Sequence, residues 1–257
     1  MVISIIGGGA MGSALAQGLV RNGLDKDIEI IVSNPHIEKI KPLEASGLRI
    51  TDSNIEATRP ADILIIAVKP WKVKDVIEEI TSSINPKIEE IAFIVAGIPG
   101  EELITMFNGA EKGDISIVMP NTAMAKGKSM TFMVPLQGNS EKTKLLFEKV
   151  GKVEVIEERL LPAATALASC GIAYGLRYVR AATEGGVELG FKAQEAQKIV
   201  AQTLAGVVAL LDSPDAHAEE EIDKVTTPGG ITIKGLNAME KEGFTNAVIQ
   251  GLKASRK

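Results

Sequence analysis

The hydrophobic pattern of the first half of the chain alternates between two periods. Runs of Ile and Val that are apolar almost throughout occupy residues 2–6, 28–32, 63–68, 91–95 and 115–119. Such runs are typical of strands that are covered on both faces. Between them, apolar residues recur at helical spacing over residues 10–21, 37–45 and 74–84. This alternation predicts an α/β fold in which a doubly wound, Rossmann-type parallel sheet occupies residues 1–156.

The pattern changes near residue 157, where strand-like runs end and alanine becomes frequent. Helical spacing predicts a long helix over residues 160–189, with Gly185-Gly186 as the candidate point of interruption, and a second helix over 193–211. The apolar face of the second helix is too wide for a domain of this size to bury alone. We therefore predict an all-α domain over residues 157–257 that forms a homodimer, or a higher homo-oligomer, through its helices. A compact monomeric bundle is the alternative.

Composition limits the possible partners and compartment. The formal charge of −5 provides no general attraction for nucleic acid or an anionic membrane. The apolar run at residues 63–68 is far shorter than the ~20 residues of a membrane helix. A single cysteine, Cys170, fits a reducing compartment. The N-terminal segment lacks the cationic start of a signal peptide. We predict a cytoplasmic protein without nucleic-acid or membrane partners.

A glycine-rich loop directly follows the first predicted strand and opens the first predicted helix. It consists of Gly7, Gly8, Gly9, Ala10, Met11 and Gly12, in the pattern G-x-G-x-x-G. In this context Gly7 permits a tight turn, Gly9 lets the backbone approach a pyrophosphate, and Gly12 allows the helix to pack closely on the strand. Free N–H groups at the helix start would face the phosphates. The loop predicts a dinucleotide cofactor, and a glycine-rich turn without a ligand is the alternative.

The residues after the second predicted strand indicate which dinucleotide binds. NAD-specific sites usually have an acidic residue there, which accepts hydrogen bonds from the ribose 2′-hydroxyl. This chain has Ser33 and Asn34 instead, and both tolerate a 2′-phosphate. His36 or Lys39 would add positive charge, although His36 is equally explained as a solvated loop residue. We predict NADPH as the cofactor, with NADH possible.

Three further segments make the prediction more specific. They are Ala67-Val68-Lys69-Pro70 and Met119-Pro120-Asn121-Thr122, each after a predicted strand, and Val225-Thr226-Thr227-Pro228-Gly229-Gly230-Ile231-Thr232-Ile233 near the C-terminus. Together with the glycine loop, they make the chain resemble the pyrroline-5-carboxylate reductase family over essentially its whole length. The resemblance implies reduction of the cyclic imine 1-pyrroline-5-carboxylate to L-proline, the last step of proline biosynthesis, by hydride transfer from NADPH or NADH.

The resemblance also implies roles for individual residues. Thr232 would be the catalytic residue, hydrogen-bonded to the imine nitrogen in a site completed across a dimer interface. The substrate-binding residues it implies are Glu158, Lys224, Thr226, Gly229, Gly230, Ile231 and Thr232. Ala67, Val68, Lys69 and Pro70 would lie beside the nicotinamide, with Val95, Ala96 and Gly97 close by. Asn54 would contact the phosphate of the adenine-side ribose, and Asn121 would also contact the cofactor.

The C-terminal segment is also chemically suited to bind a carboxylate. Pro228 is tolerated at a helix start, because its missing N–H would be unpaired there. Gly229 and Gly230 let an anion approach the free N–H groups, and Thr232 presents a hydroxyl. A helix N-terminus stabilises a carboxylate by roughly 0.3–1 kcal/mol, and by up to ~2 kcal/mol when partly buried. A plain N-capped helix with a glycine-rich entry is the alternative.

The residues that the sequence lacks help to separate competing functions. Carbonyl reduction generally needs a positioned acid, but the only histidines are His36 and His217, the latter in a charged run. A protonated cyclic imine instead mainly needs alignment with the nicotinamide. A β-hydroxyacid dehydrogenase would have a catalytic lysine in the interdomain helix, and residues 160–189 contain none. A non-catalytic NADPH-binding protein is the other alternative. No metal-ligand cluster is apparent, so no metal is predicted.

The chain departs from the family pattern at a few positions. Cys170 and Ile172 replace a serine and a proline in the predicted long helix, and we interpret Cys170 as a packed small residue. Ile117 lies where an arginine often precedes the Met-Pro-Asn-Thr segment, and Ile231 replaces the first threonine of a Gly-Thr-Thr sequence. These departures leave the predicted reaction in place and affect the expected substrate affinity and cofactor preference.

Overall fold

The computed structural model describes residues 1–23, 27–107 and 113–256, which form two compact units, Met1–Ser169 and Cys170–Lys257. The first unit extends past the predicted boundary at 156/157, because the segment after it is bonded to that unit. Glu158 accepts a hydrogen bond from the Gly100 amide, and Ser169 donates one to the Pro120 carbonyl. The predicted domain boundary stays a prediction. No helix in the described ranges is long and apolar enough to cross a membrane.

The first unit contains one eight-stranded sheet. Its strands are β1 Val2–Ile6, β2 Glu29–Ser33, β3 Arg49–Thr51, β4 Ile63–Ile66, β5 Glu90–Phe93, β6 Asp114–Met119, β7 Ser129–Gln137 and β8 Gly151–Val155. Its helices are α1 Ala10–Arg21, α2 Ile37–Ile40, α3 Asn54–Thr58, α4 Val73–Ile80, α5 Gly100–Thr105, α6 Glu141–Glu148 and α7 Leu161–Ala164. The second unit contains α8 Gly171–Glu188, α9 Ala193–Leu210, α10 Ala218–Lys224, α11 Ile231–Lys241 and α12 Phe244–Ala254.

The sheet has the order β3-β2-β1-β4-β5-β6-β7-β8, and only the β6–β7 pair is antiparallel among the pairings of the described residues. The first six strands follow the order of a doubly wound dinucleotide-binding fold. The strand order reverses between β1 and β4, so the carboxyl ends of these strands open a crevice there. The predicted Rossmann-type sheet followed by a helical region is confirmed.

Burial on both faces explains why the inner strands are apolar almost throughout. Ile5 faces α1, where it joins a core that includes Leu15. Its neighbour Ile6 faces the opposite side, in a second core that includes Ile77 of α4. Successive side chains of a strand point to opposite faces, so a strand between two helical layers needs an apolar residue at every position.

Three strands were not predicted, and all have mixed composition. In β7, Ser129 and Thr131 are buried polar residues whose hydroxyls hydrogen-bond to each other. The strands β3 and β8 lie at the two edges of the sheet, and β8 is largely exposed. Continuous apolar runs therefore indicate the strands that are covered on both faces. They do not indicate β3, β7 and β8, whose composition is mixed.

The predicted interruption of the long helix at Gly185-Gly186 is wrong. The helix α8 continues through both glycines. Close packing against α9 explains the glycine at position 186, since a Cβ there would lie 2.8 Å from the Cβ of Ala196. The irregularity occurs earlier, at a π-helical turn over Thr165–Ser169. The side-chain Nδ2 of Asn121 donates to the Ala168 carbonyl in this turn at 3.4 Å. A partner from outside the helix thus satisfies a carbonyl in the irregular turn.

Candidate cofactor and substrate sites

The glycine loop has the geometry that its sequence predicts. Gly7 adopts φ +103°, and a Cβ there would lie 2.6 Å from the Ala67 carbonyl oxygen, so a side chain is excluded. A Cβ on Gly12 would lie 2.2 Å from the Gly7 carbonyl oxygen. Gly7 thus forms the tight turn beside β4, and Gly12 allows α1 to pack on the turn.

The helix start beyond this turn is open. Gly9 is the N-cap of α1, is exposed and has no side chain that could cap the helix. Apart from its own chain neighbours, no described atom lies within 4 Å of the position of a Cβ there. The first turn of α1 contains no acidic residue that would repel an anion. The amides of Ala10 and Met11 lie in this turn, where intrahelical acceptors are absent. The open helix start and its free donors fit a dinucleotide pyrophosphate.

The other predicted cofactor residues of the first unit follow the carboxyl ends of neighbouring parallel strands. Half-buried Ala67 and Val68 follow β4, and exposed Lys69 and half-buried Pro70 begin a 3-10 turn. After β5 come buried Val95 and the exposed pair Ala96 and Gly97, with Gly97 at φ +82°. The fold therefore places these residues along one edge of the sheet, although their individual roles stay predictions.

Asn121 follows β6 but is bonded to the protein itself. It is buried, its Oδ1 accepts from the Ala123 amide at 3.0 Å, and its backbone amide donates to the Ser129 hydroxyl at 3.1 Å. The side chain thus caps the following 3-10 turn and also bonds the π-helical turn. Its predicted contact with the cofactor stays a prediction.

The predicted ribose pocket contains a chain of hydrogen bonds. The buried Ser33 hydroxyl donates to the Oδ1 of Asn54 at 2.8 Å. Asn54 begins α3, and the Ser53 hydroxyl caps that helix by accepting from the Glu56 amide. Because Ser33 ends β2 and Asn54 follows β3, the pairing of these strands brings both side chains to the same edge of the sheet.

The residues after Ser33 form a local turn. The Oδ1 of Asn34 accepts from the His36 amide at 2.9 Å. The exposed His36 ring lies 3.7 Å from the carboxylate of Glu38. The predicted positive charge at His36 therefore has a negative neighbour, and its contact with a 2′-phosphate stays a prediction.

The structure also brings Glu79 to this pocket, which the sequence analysis missed. The Nδ2 of Asn54 donates to the Oε2 of Glu79 at 2.9 Å. Glu79 lies on the exposed side of α4, a helix whose buried residues are Val73, Val76, Ile77 and Ile80. No sequence signal distinguishes it from other surface glutamates, because the contact arises only where α3 packs beside α4.

Glu158, predicted to bind substrate, belongs to the first unit. Its Oε1 accepts from the Gly100 amide at 2.7 Å, at the start of α5. It lines a cleft of about 500 Å³ whose apolar walls include Ile104, Leu136 and Ile156. The carboxylate is therefore bonded to a helix start in this structure, and its predicted contact with substrate stays a prediction.

The other predicted substrate residues lie in the second unit, at the start of α11. The Gly230 amide donates to the Thr227 carbonyl at 2.9 Å, and Gly229 has φ +71°. Pro228 and Gly229 are thus the central residues of a type II turn. The prediction that Pro228 begins the helix is wrong: α11 begins at Ile231, and proline is favoured here because it fixes φ in the turn.

The first turn of α11 is accessible. Its N-cap, Gly230, has no side chain to bond the free amides, and Ile231 is 86% exposed. Thr232 is exposed in the same turn. An uncapped helix start with an adjacent hydroxyl has the donors that a carboxylate and a neighbouring polar atom require.

Lys224 and Thr226 precede this turn and have local partners. The ammonium of Lys224 donates to the Oε1 of Glu221, and this hydrogen bond raises the pKa of the lysine. The Thr226 hydroxyl donates to the Asp223 carbonyl at 3.1 Å. Their predicted contacts with substrate stay predictions.

Two family models of known proteins match this chain, one in its N-terminal part and one in its C-terminal part. The family model described as pyrroline-5-carboxylate reductase dimerisation matches residues 158–257. The model described as NADP oxidoreductase, coenzyme F420-dependent, matches residues 2–88.

Individual relatives match almost the whole chain. Pyrroline-5-carboxylate reductase 2 of Dictyostelium discoideum is 36% identical, over 97% of this chain and 89% of the relative. Pyrroline-5-carboxylate reductase 1 of the same organism is also 36% identical, over 98% of this chain, but this chain spans only 48% of that relative. The crystal structure of Plasmodium falciparum pyrroline carboxylate reductase with NADP bound is similar, with 27% identity and a TM-score of 0.86, over 99% of this chain and 95% of that one.

Proposed function

Because the chain belongs to the pyrroline-5-carboxylate reductase family, we propose that it reduces 1-pyrroline-5-carboxylate to L-proline. It is an NAD(P)H-dependent oxidoreductase. The structural observation that most favours this function is the open helix start at Gly230, with exposed Ile231 and Thr232 beside it. A chain that only bound a dinucleotide would not need this second anion site.

Different residues bind the cofactor and the substrate. When bound, the nicotinamide would supply a hydride to the carbon of the protonated imine, which gives the amine of proline without a further proton transfer. The amides of Ala10 and Met11 bind the pyrophosphate, and Ala67 to Pro70 orient the nicotinamide end. The first amides of α11 bind the substrate carboxylate, and the Thr232 hydroxyl hydrogen-bonds the imine nitrogen. Catalysis then consists mainly of holding the two reacting carbons in line.

The defining experiment measures oxidation of NADPH and NADH by the purified protein with 1-pyrroline-5-carboxylate, a 2-keto acid or a 3-hydroxy acid. We expect rapid oxidation only with the imine, because neither of the two histidines, His36 and His217, belongs to the proposed substrate site as an acid for an alkoxide. The 3-hydroxy acid is tested with the oxidised cofactors. Turnover of the hydroxy acid alone would instead identify a β-hydroxyacid dehydrogenase. Cofactor binding without any turnover would identify a non-catalytic binding protein.

We propose that the chain forms a homo-oligomer and that the helices of the second unit form the interface of a homodimer, in line with the dimerisation family model that matches residues 158–257. Ala196 is the only buried side chain that the structure describes between residues 170 and 256. Large apolar residues are exposed on these helices, including Leu176, Leu189 and Val208. An exposed apolar surface of this extent is typical of a subunit interface.

Sedimentation velocity tests the interface. Val208 is 69% exposed, and we expect Val208→Lys to weaken dimerisation at least about tenfold, because a buried unpaired charge is costly. The matched control is Val20→Lys, at an exposed valine on α1 of the first unit, which should leave the dimer intact. A wild-type protein that sediments as a monomer at micromolar concentration would contradict the proposal.

We also propose a cytoplasmic location and a role in proline biosynthesis, with a small molecule as the only substrate class. The single cysteine and the net charge of −5 support this, since both fit a reducing compartment without anionic macromolecular partners.

A further inference from the structure

We propose that Glu79 determines cofactor preference: its carboxylate weakens binding of the 2′-phosphate of NADPH and so favours NADH. The inference rests on the proposed position of the cofactor, with its adenine-side ribose beside Ser33 and Asn54. It concerns a residue of α4, outside every motif that indicates the dinucleotide fold.

Two hydrogen bonds connect Glu79 to the ribose pocket. Ser33 donates to the Oδ1 of Asn54 at 2.8 Å, and the Nδ2 of Asn54 donates to the Oε2 of Glu79 at 2.9 Å. Because a carboxylate only accepts, the second bond sets the Asn54 amide with its nitrogen toward Glu79 and its oxygen toward Ser33. One of the two N–H donors of Asn54 is thus used by a carboxylate and is not available to a phosphate.

The charge of Glu79 is not neutralised by a neighbour. Among the described residues no lysine or arginine forms an ion pair with it. The adjacent Glu78 differs, because its carboxylate lies 3.9 Å from the ammonium of Lys74. Glu79 therefore contributes a full negative charge one side chain away from the predicted phosphate position.

This arrangement resembles that of NAD-specific sites, with the acid in a different place in the chain. In those sites an acidic residue at the end of the second strand accepts from the 2′-hydroxyl and repels a 2′-phosphate. Here β2 ends in Ser33, and the acid reaches the pocket from α4. A 2′-phosphate has nearly two negative charges, whereas the corresponding hydroxyl of NADH has none. At the distance of one side chain in a hydrated site, Coulomb repulsion between Glu79 and the 2′-phosphate should raise the NADPH dissociation constant about three- to tenfold.

Glu79→Gln tests the charge while keeping an acceptor for Asn54. We expect the ratio of the NADH to the NADPH dissociation constant to rise about three- to tenfold. Binding is measured by quenching of Trp71, the sole tryptophan, which is 73% exposed and follows Lys69-Pro70. The matched control is Glu78→Gln, which removes the same charge from the adjacent position of α4 and should leave the ratio unchanged. The difference between Glu79→Gln and wild type should shrink at high salt.

The outcomes are distinct. An unchanged or lower ratio in Glu79→Gln overturns the proposal, and a lower ratio in both Glu79→Gln and Glu79→Ala would show that Glu79 instead positions Asn54 for NADPH. Glu79 is exposed, and thermal melting confirms that the variants are folded. Binding is measured without an imine, so it does not depend on turnover. If the ratio changes as expected but the protein reduces no imine, the proposed function is rejected and the role of Glu79 is retained.

Discussion

Gly12→Ala should raise the NADPH dissociation constant by about ten- to a hundredfold, because its methyl group has no space between α1 and the turn before it. The new Cβ would lie 2.2 Å from the Gly7 carbonyl oxygen and 3.1 Å from a methyl group of Ile5. Backbone atoms cannot rotate away as a flexible side chain does, so the turn and the helix start must separate. Overpacking of this kind costs roughly 1–3 kcal/mol, occasionally more. Trp71 fluorescence measures the binding.

Gly9→Ala distinguishes damage to the structure of the loop from a direct loss of NADPH affinity. No described atom lies within 4 Å of a Cβ at Gly9, whose φ of −78° suits any residue. We expect Gly9→Ala to keep the wild-type melting temperature and still lose NADPH affinity, because its methyl group occupies the space of the pyrophosphate. Gly12→Ala should lower both. Unchanged NADPH binding in both variants would contradict the assignment of the cofactor to this loop.

Thr232→Val should lower kcat/KM for the imine about a hundredfold and change the NADPH dissociation constant less than twofold. Valine keeps the shape of the side chain and removes the hydroxyl, which is the group that the substrate nitrogen is proposed to contact. A lost contact that orients or protonates a reacting group typically costs about 10²–10⁴ in rate. Steady-state kinetics and Trp71 fluorescence measure the two quantities separately.

Thr232→Ser is the matched control, because it keeps the hydroxyl at the second position of α11 and should retain most of the activity. Equal losses of turnover and NADPH affinity in Thr232→Val would show that Thr232 supports the fold or the cofactor and not the substrate. Full activity would remove it from the site altogether.

The elements that could be predicted are those whose surroundings impose a periodic pattern. Helix α1 was predicted with the bounds Ala10–Arg21 that the structure shows, because the glycine loop marks its start and its apolar spacing is regular. Strands β1, β2, β4, β5 and β6 were predicted to within two residues at each end, since helices cover both faces of the sheet. Edge strands have no such constraint on both faces, which is why β3 and β8 were missed.

Glycine and proline were harder to interpret than apolar periodicity, because the same residue serves different geometries. Gly186 allows α8 and α9 to approach closely, although glycine pairs also interrupt helices. Pro228 occupies a turn before α11, although proline is equally suited to a first helical position. The sequence does not distinguish these alternatives, because they depend on the segment that packs against the glycine or proline.

The doubly wound sheet, the glycine loop and the family are all predictable from the sequence, because each depends on local spacing or on a contiguous motif. Which side chains of distant segments meet depends on how the elements pack. Packing of α3 beside α4 brings Glu79 to Asn54, and the folded segment after β8 brings Glu158 to Gly100. These contacts join surface residues from separate elements, whose polar character leaves no periodic trace in the chain. The geometry of the glycine loop is therefore predictable from the sequence, whereas the carboxylate of Glu79 beside the predicted ribose pocket is not.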